Sequence, residues 1–447
     1  MTDNQSQHGW RRELHSRSTL TIAIIVMISA ANASAYGQYD VQGLMLLLLA
    51  LFIGVAMLPV ARDVSLSKSV VAVAVVVSAL LNLYPGLTAG SPNAALVPVL
   101  TVMILLGSLA LLSSRKAIRL VGLALAAAGN LWLFFSGIVV GKAGIDVFAD
   151  LQGATGQLLH GKNPYFSYFL SDTPGVHALH FQYEAGALLL TIPGRILGDV
   201  RFAELAMVGL LLLAIFMLAR RWLGGGREWW VLGLMLASPF PMHMIILAWI
   251  EVSGVTGVAL WLWLRARYRW VATLALGLGV SGSFLALPLL IVPLVRFPKV
   301  RIEVGVALGI AVLISAPFAL WTGVGHYLYD IGFVQLHLPW SKMALGLNPV
   351  WGSMTGAAIP VIVSLGLPGV LLIWMSRRFV GSLADSLVVG SLFCMSAVLL
   401  AKFAFFNYYF VVVFGLFMAL ALGNRRCQKK DVKKTEYSLL SIVRDDT

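Results

Sequence analysis

Fourteen apolar runs divide this chain, and they constrain its fold more than any other feature. They fall at 19–36, 43–61, 69–85, 94–112, 120–140, 202–219, 229–247, 252–264, 270–283, 284–295, 304–322, 350–375, 380–400 and 403–422. About 20 apolar residues in a helix cross a hydrocarbon layer roughly 30 Å thick. Lipid offers the backbone no hydrogen bonds, so such segments must pair their own N–H and C=O groups, as helices do. The runs are continuous rather than alternating, which argues against a barrel. The expected fold class is all-α, a polytopic integral membrane protein of about 14 transmembrane helices.

The formal net charge of +13 suits nucleic acid or a membrane surface, and its distribution decides between them. With the N-terminus inside, the inner segments hold 26 of the 32 Lys and Arg residues and the outer segments 6. The Lys/Arg bias alone sets orientation. Arg115-Lys116, Arg220-Arg221, Arg265 to Arg269, Arg377-Arg378 and Arg425 to Lys434 then read as topology signals and contacts to anionic lipid. Membrane lipids are expected partners and nucleic acid is not. The expected location is the cell (plasma) membrane, multi-pass, with both termini cytoplasmic. Arg11 to Ala35 has the look of a cleavable leader, but an uncleaved first span is the expectation in a chain with so many spans. Cys394 and Cys427 suggest no disulfide framework.

Four parts follow from this pattern: a cytoplasmic N-terminus (1–18), accessory helices (19–118), a main module (119–422) and a basic cytoplasmic tail (423–447). The main module carries two long outer loops, 141–201 and 322–349, whereas its inner connections are short. Work is therefore expected on the outer face. There is no P-loop, so any reaction draws on an activated substrate or an ion gradient.

The densest chemistry lies in the first outer loop. Ile145 to His160 reads as an amphipathic helix, with Phe148, Leu151, Thr155 and Leu158-Leu159 on one face and Asp146, Asp150, Gly153 and Gln157 on the other. Gly161 and Pro164 stop it. Such a helix lies in the interface plane. Asp146 is expected at the water boundary as a base facing a surface cleft; the competing reading is that Asp146 and Asp150 serve the helix dipole. His180 to Leu197 forms a second amphipathic stretch, too short for a full span. It brings Tyr183 and Glu184 to the membrane surface, where Glu184 is either functional or simply solvated.

An Asp after an early span, an amphipathic helix, the turn Leu158-Leu159-His160-Gly161-Lys162-Asn163-Pro164-Tyr165 and a second interfacial helix ending in Gly198-Asp199-Val200-Arg201 form a pattern. It resembles the GT-C superfamily of membrane glycosyltransferases, and within it the family 87 polyprenyl-phosphate-mannose-dependent mannosyltransferases. Phe405-Phe406-Asn407-Tyr408-Tyr409 and Ser238-Pro239 fit the same pattern, which covers roughly 120–422. The chain departs from it at Tyr183-Glu184-Ala185, where relatives often carry Tyr-Pro-Pro. It departs again at Ser281-Gly282-Ser283, where many carry a Lys, and in its four extra N-terminal spans.

The resemblance implies transfer of a sugar, mannose or another hexose or pentose, from a polyprenyl-phosphate donor to a hydroxyl on the extracytoplasmic face. The acceptor would be a glycan or glycolipid. An acceptor hydroxyl needs a base to take its proton, and Asp146 is implied in that role, with Asp150 and Glu184 as further catalytic candidates. A single displacement inverts the anomeric centre. The leaving phosphate calls for positive charge, and Arg201 and Lys402 lie at span boundaries among the six outer cations. Snorkelling to the interface is the alternative role for each. His160, Asn163, Tyr165, Tyr183 and Tyr408 complete the expected substrate-binding set, with Glu251 positioning the acceptor or binding a metal. The outer histidines (His160, His177, His180, His326, His337) match no zinc spacing. No metal ligand set is assigned, although a divalent metal remains open. Trp321, Tyr327, Tyr329 and Trp340 either stack on sugar rings or form an interfacial belt. A secondary transporter or lipid flippase is the main alternative, and a non-catalytic scaffold the second.

Overall fold

The structure, a computed structural model, describes residues 16–34, 39–58, 61, 66–83, 96–139, 146–169, 179–334 and 341–423. Ala35, Lys142, His177, His337, Trp340 and the tail from 424 onward lie outside the described residues. The described residues are all-helical in fold, apart from one two-residue antiparallel pairing. Its first helices are α1 (Arg17–Ser34), α2 (Val41–Phe52), α3 (Lys68–Leu80), α4 (Leu96–Ala110) and α5 (Lys116–Val139). In the first long loop come α6 (Asp146–Leu159), the strands β1 (Tyr168–Phe169) and β2 (Leu179–His180), and α7 (Ala185–Ile196). The bundle continues with α8 (Arg201–Trp222), α9 (Arg227–Ala237), α10 (Phe240–Ile246), α11 (Glu251–Leu264), α12 (Arg269–Gly282) and α13 (Pro288–Arg296). It closes with α14 (Pro298–Thr322), α15 (Val324–Leu328), α16 (Asn348–Thr355), α17 (Val361–Phe379), α18 (Leu383–Leu400) and α19 (Phe406–Leu422).

Among the described residues six helices are long and apolar enough to cross a membrane: α1, α5, α8, α14, α17 and α18. A seventh span forms if α9 and α10 are one helix bent by 47°. The chain is membrane-embedded on this ground. The other apolar helices are shorter, at 10–17 residues, and two expected runs are broken. Run 229–247 bends at Ser238-Pro239, because proline has no N–H to continue the ladder. Run 350–375 divides into α16 and α17 at Gly356, whose φ of 73° ends a helix, and at Pro360.

Burial orders the bundle. α19 is apolar on every side and almost wholly buried, the mark of a core helix. Around it α8, α11 and α18 pack directly. α14 and α17 lie at the rim and expose apolar side chains such as Val312, Leu313, Ile362 and Val370, as lipid-facing helices do. Close approach through glycine locks α11 to α12, since a Cβ on Gly257 would lie 2.8 Å from the Gly279 Cα. Small residues at such seams let helices gain dispersion contacts that lipid cannot replace.

The helix α6 departs from its expected setting. Its Leu151, Ala154 and Thr155 face packs on α7 rather than on lipid, and Thr155 shares a 3.0 Å hydrogen bond with Thr191. Asp150, expected on an open polar face, is buried with them. A paired neighbour helix supplies more contact than lipid does, so the two loop helices fold on one another.

Candidate functional site

Asp146 opens α6 and is half-buried, with one carboxylate oxygen accepting from the Val147 amide at 2.9 Å. One turn on, Asp150 is 3% exposed. Burial, with the Asp146 charge added to it, pushes its carboxyl up to about 8. Asp150 therefore keeps its proton near neutral pH beside Asp146.

Glu184 is buried at the N-cap of α7 and bridges elements distant in sequence. Its Oε1 accepts from the Phe284 amide at 3.1 Å, tying α7 to the turn after α12. Burial raises its carboxyl to about 8, the Phe284 hydrogen bond opposes that, and the Glu251 charge adds to it. Gly186 makes this closeness possible, because a Cβ there would collide with the backbone of Ser281. Here the Tyr-Glu-Ala departure noted in the sequence acquires a physical role, a carboxylate strap between two helices.

Tyr183 joins these groups. Burial raises its hydroxyl well above the ordinary phenol range, and the charges of Asp146, Asp150 and Glu251 reinforce that, as does Tyr408. Residues from α6, α11 and α19 therefore act on one hydroxyl at the entry to α7. Glu251 begins α11, 3% exposed, and its Oε1 accepts from Asn407 Nδ2 at 2.7 Å. The turn before it contains Ala248, at φ 53° the one non-glycine residue with positive φ among the described residues. Strain of this kind persists only where the surroundings over-determine it; this turn aims Glu251 inward.

The structure gives other expected site residues different work. Tyr165 is fully buried, its hydroxyl donates to the Tyr183 carbonyl at 2.9 Å, and its ring meets Phe181 and Tyr327 edge-on. Asn163 caps the Pro164–Phe166 turn through the Tyr165 amide and bonds Thr322 at 3.0 Å. Both hold the turn and do not face an open cleft. His160 is exposed, with Nδ1 2.7 Å from the Gly156 carbonyl. Arg201 is 3% exposed, forked onto Asp199 at 2.6–3.0 Å and seated 4.5 Å over the Phe148 ring. Asp199 lies two residues away and captures the guanidinium, so only Nη1 lacks a partner. Lys402 is half-buried, and its carbonyl accepts from the Ser341 amide. Tyr327 is buried beneath the Ala185 amide, whereas Trp321 and Tyr329 are exposed. His326 lies 3.2 Å from the buried Asp330.

Two residues absent from the sequence-based set belong to this region. Glu204, in the first turn of α8, is 1% exposed and within electrostatic reach of Glu251. Asn407 holds Glu251. An ionisable or amide side chain at the start of an apolar run was the available signal. Among the described residues no group of three or more His, Cys, Asp or Glu side chains is arranged to hold a metal. No family model matches this chain, and neither a curated protein nor a solved structure does.

Proposed function

We propose that this protein is a membrane glycosyltransferase that moves a sugar from a polyprenyl-phosphate donor to an acceptor hydroxyl on the extracytoplasmic face, with inversion. Fourteen membrane passes, a GT-C-like arrangement of the loop helices and cytoplasmic termini in the plasma membrane are parts of the same proposal. One observation supports it: buried Asp150, buried Glu251 held by Asn407, and half-buried Asp146 lie within electrostatic reach of the Tyr183 hydroxyl, although the four are spread over more than a hundred residues. Three carboxylates and a phenol beside an amphipathic helix form an acid–base site at a membrane surface.

In this reading Asp146 takes the proton of the acceptor hydroxyl as that oxygen attacks the anomeric carbon. The bond to the lipid phosphate breaks, and the phosphate leaves with the electron pair. Asp150, neutral near pH 7, keeps the neighbouring charge low and donates a hydrogen bond. Glu184 and Glu251 orient sugar hydroxyls from the bundle side, and Tyr183 and Tyr408 supply polar ring edges. Lys402 is the cation that meets the phosphate, while Arg201 stays forked onto Asp199.

A secondary transporter or lipid flippase is the second reading, and the unpartnered Glu204 carboxylate inside the bundle is the observation that favours it. Membranes carrying the protein, given radiolabelled polyprenyl-phosphate mannose and other lipid-linked sugars, test the two. Labelled glycan or glycolipid supports the enzyme. No product from any donor, together with gradient-driven uptake or lipid movement in proteoliposomes, supports the transporter.

A further inference from the structure

Three helices that pack on one another, α8, α11 and α19, each bring one polar side chain to the same buried region from their first turns: Glu204, Glu251 and Asn407. All three are more than nine-tenths buried. Their bonding is lopsided. Asn407 Nδ2 is the one donor in the group, and Glu251 Oε1 takes it at 2.7 Å. Four acceptor atoms then have no partner: both carboxylate oxygens of Glu204, Glu251 Oε2 and Asn407 Oδ1. Arg201, one turn before Glu204, is committed to Asp199. Among the described residues neither glutamate has an ion pair.

Buried polar atoms in native proteins are nearly always satisfied, and a cluster of such atoms without partners needs an explanation. Every unmatched atom here is an acceptor, so the missing group must bring donors or positive charge. Two carboxylates in an apolar bundle call for charge, because desolvated anions are strongly unfavourable when unpaired. Both glutamates also lie in the first turn of a helix, where the dipole favours the ionised form. A metal ion satisfies these oxygens and their charge together. Carboxylate and amide oxygens are the ligands of hard cations, and a dipositive ion balances two carboxylates.

We propose that Glu204, Glu251 and Asn407 bind a hard divalent cation between α8, α11 and α19. The site shares Glu251 with the carboxylates about Tyr183, but it stands on the unmatched oxygens and not on the transferase reading. Four protein oxygens and water complete the coordination. The ion links three core helices, two of which otherwise bring like charges together, and it gives the buried Glu204 carboxylate a partner.

The test uses the full-length protein in detergent, freed of metal with a chelator. Thermal unfolding is followed with millimolar Mg2+, Ca2+ or Mn2+, against NaCl of equal ionic strength. The expected result is a saturable rise of several degrees in Tm with a divalent ion, absent in Glu204→Gln and reduced in Asn407→Ala. Mn2+ paramagnetic resonance on the wild-type protein should show one tightly bound equivalent, which Mg2+ or Ca2+ displaces; this readout needs no variant. The proposal is overturned by no divalent effect beyond the salt control at fixed pH, by an equal effect in Glu204→Gln, or by equal stabilisation from Na+.

Discussion

The two ends of α11 carry buried glutamates of opposite standing. At the C-terminal end, Glu303 of α14 is 5% exposed and saturated. Trp261 Nε1 donates to it at 2.7 Å, and Arg265 and Arg269 pair with it at 3.2 and 2.9 Å. At the N-terminal end, Glu251 and Glu204 are as deeply buried but, among the described residues, have no cation, and three of their four oxygens lack any partner there. Burial is the same and the residue type is the same; only the partners differ. A carboxylate desolvated and then fully bonded is structural, whereas one desolvated and left open is held ready for something absent from the chain itself.

That contrast can be broken by substitution. The largest expected effect is at the saturated end. Glu303→Ala leaves two arginines and an indole without their acceptor and should cost about 3 kcal/mol, the low side of the range for a broken buried pair because Arg269 is 49% exposed. Denaturant unfolding in detergent checks it. A loss under 1 kcal/mol would remove the distinction between the two ends.

The pH dependence comes next. Asp150 and Glu184 each have a folded value of about 8, far above their ordinary carboxylate values of 3.8 and 4.5. Between those limits the folded state binds more protons than the unfolded state, so their contribution is fully present in acid and is lost as pH rises towards 8. Wild-type Tm should therefore fall from pH 5 to about pH 8 and then level off, while Asp150→Asn and Glu184→Gln each flatten the slope. A Tm that climbs across this window contradicts the assignment.

Packing gives a smaller effect. Gly186→Ala forces α7 away from Ser281 and should cost about 2 kcal/mol while loosening the Glu184 strap. The smallest is at the open end. In metal-free protein, Glu204→Gln removes an unpaired charge and should stabilise by about 1 kcal/mol, the opposite sign to Glu303→Ala. A loss of stability would mean that Glu204 is bonded after all.

Much of this was legible in the residues. The apolar runs located most helices, and Gly161 with Pro164 ended α6 close to where it stops. The Ser238-Pro239 and Gly356–Pro360 signals were visible, but run length alone did not convert them into breaks. Which helix is central was not legible. α14, α17 and α19 are all apolar, and only tertiary contact separates the two that meet lipid from the one that meets protein. Within the site, Asp146, Asp150, Glu184 and Glu251 were singled out from their places at loop and span boundaries; in the structure Asp146, Asp150 and Glu251 lie within electrostatic reach of Tyr183, and Glu251 within reach of Glu184. Arg201 and Tyr165 read as substrate contacts, because a sequence does not show that Asp199 and Phe148 enclose the one and an aromatic cluster the other. Glu204 was missed because one acid near a span boundary looks the same whether solvated or sealed in.

The central claim, that the Asp146 carboxylate is the base of a sugar transfer, is tested most directly by Asp146→Asn. Membranes with equal amounts of inserted wild-type and variant protein are given radiolabelled polyprenyl-phosphate mannose, and the initial rate of label transfer to lipid or glycan is measured. The account predicts a rate lower by about 10²–10⁴-fold in the variant, with its Tm unchanged. Equal rates in the two proteins would contradict it and remove Asp146 from the chemistry.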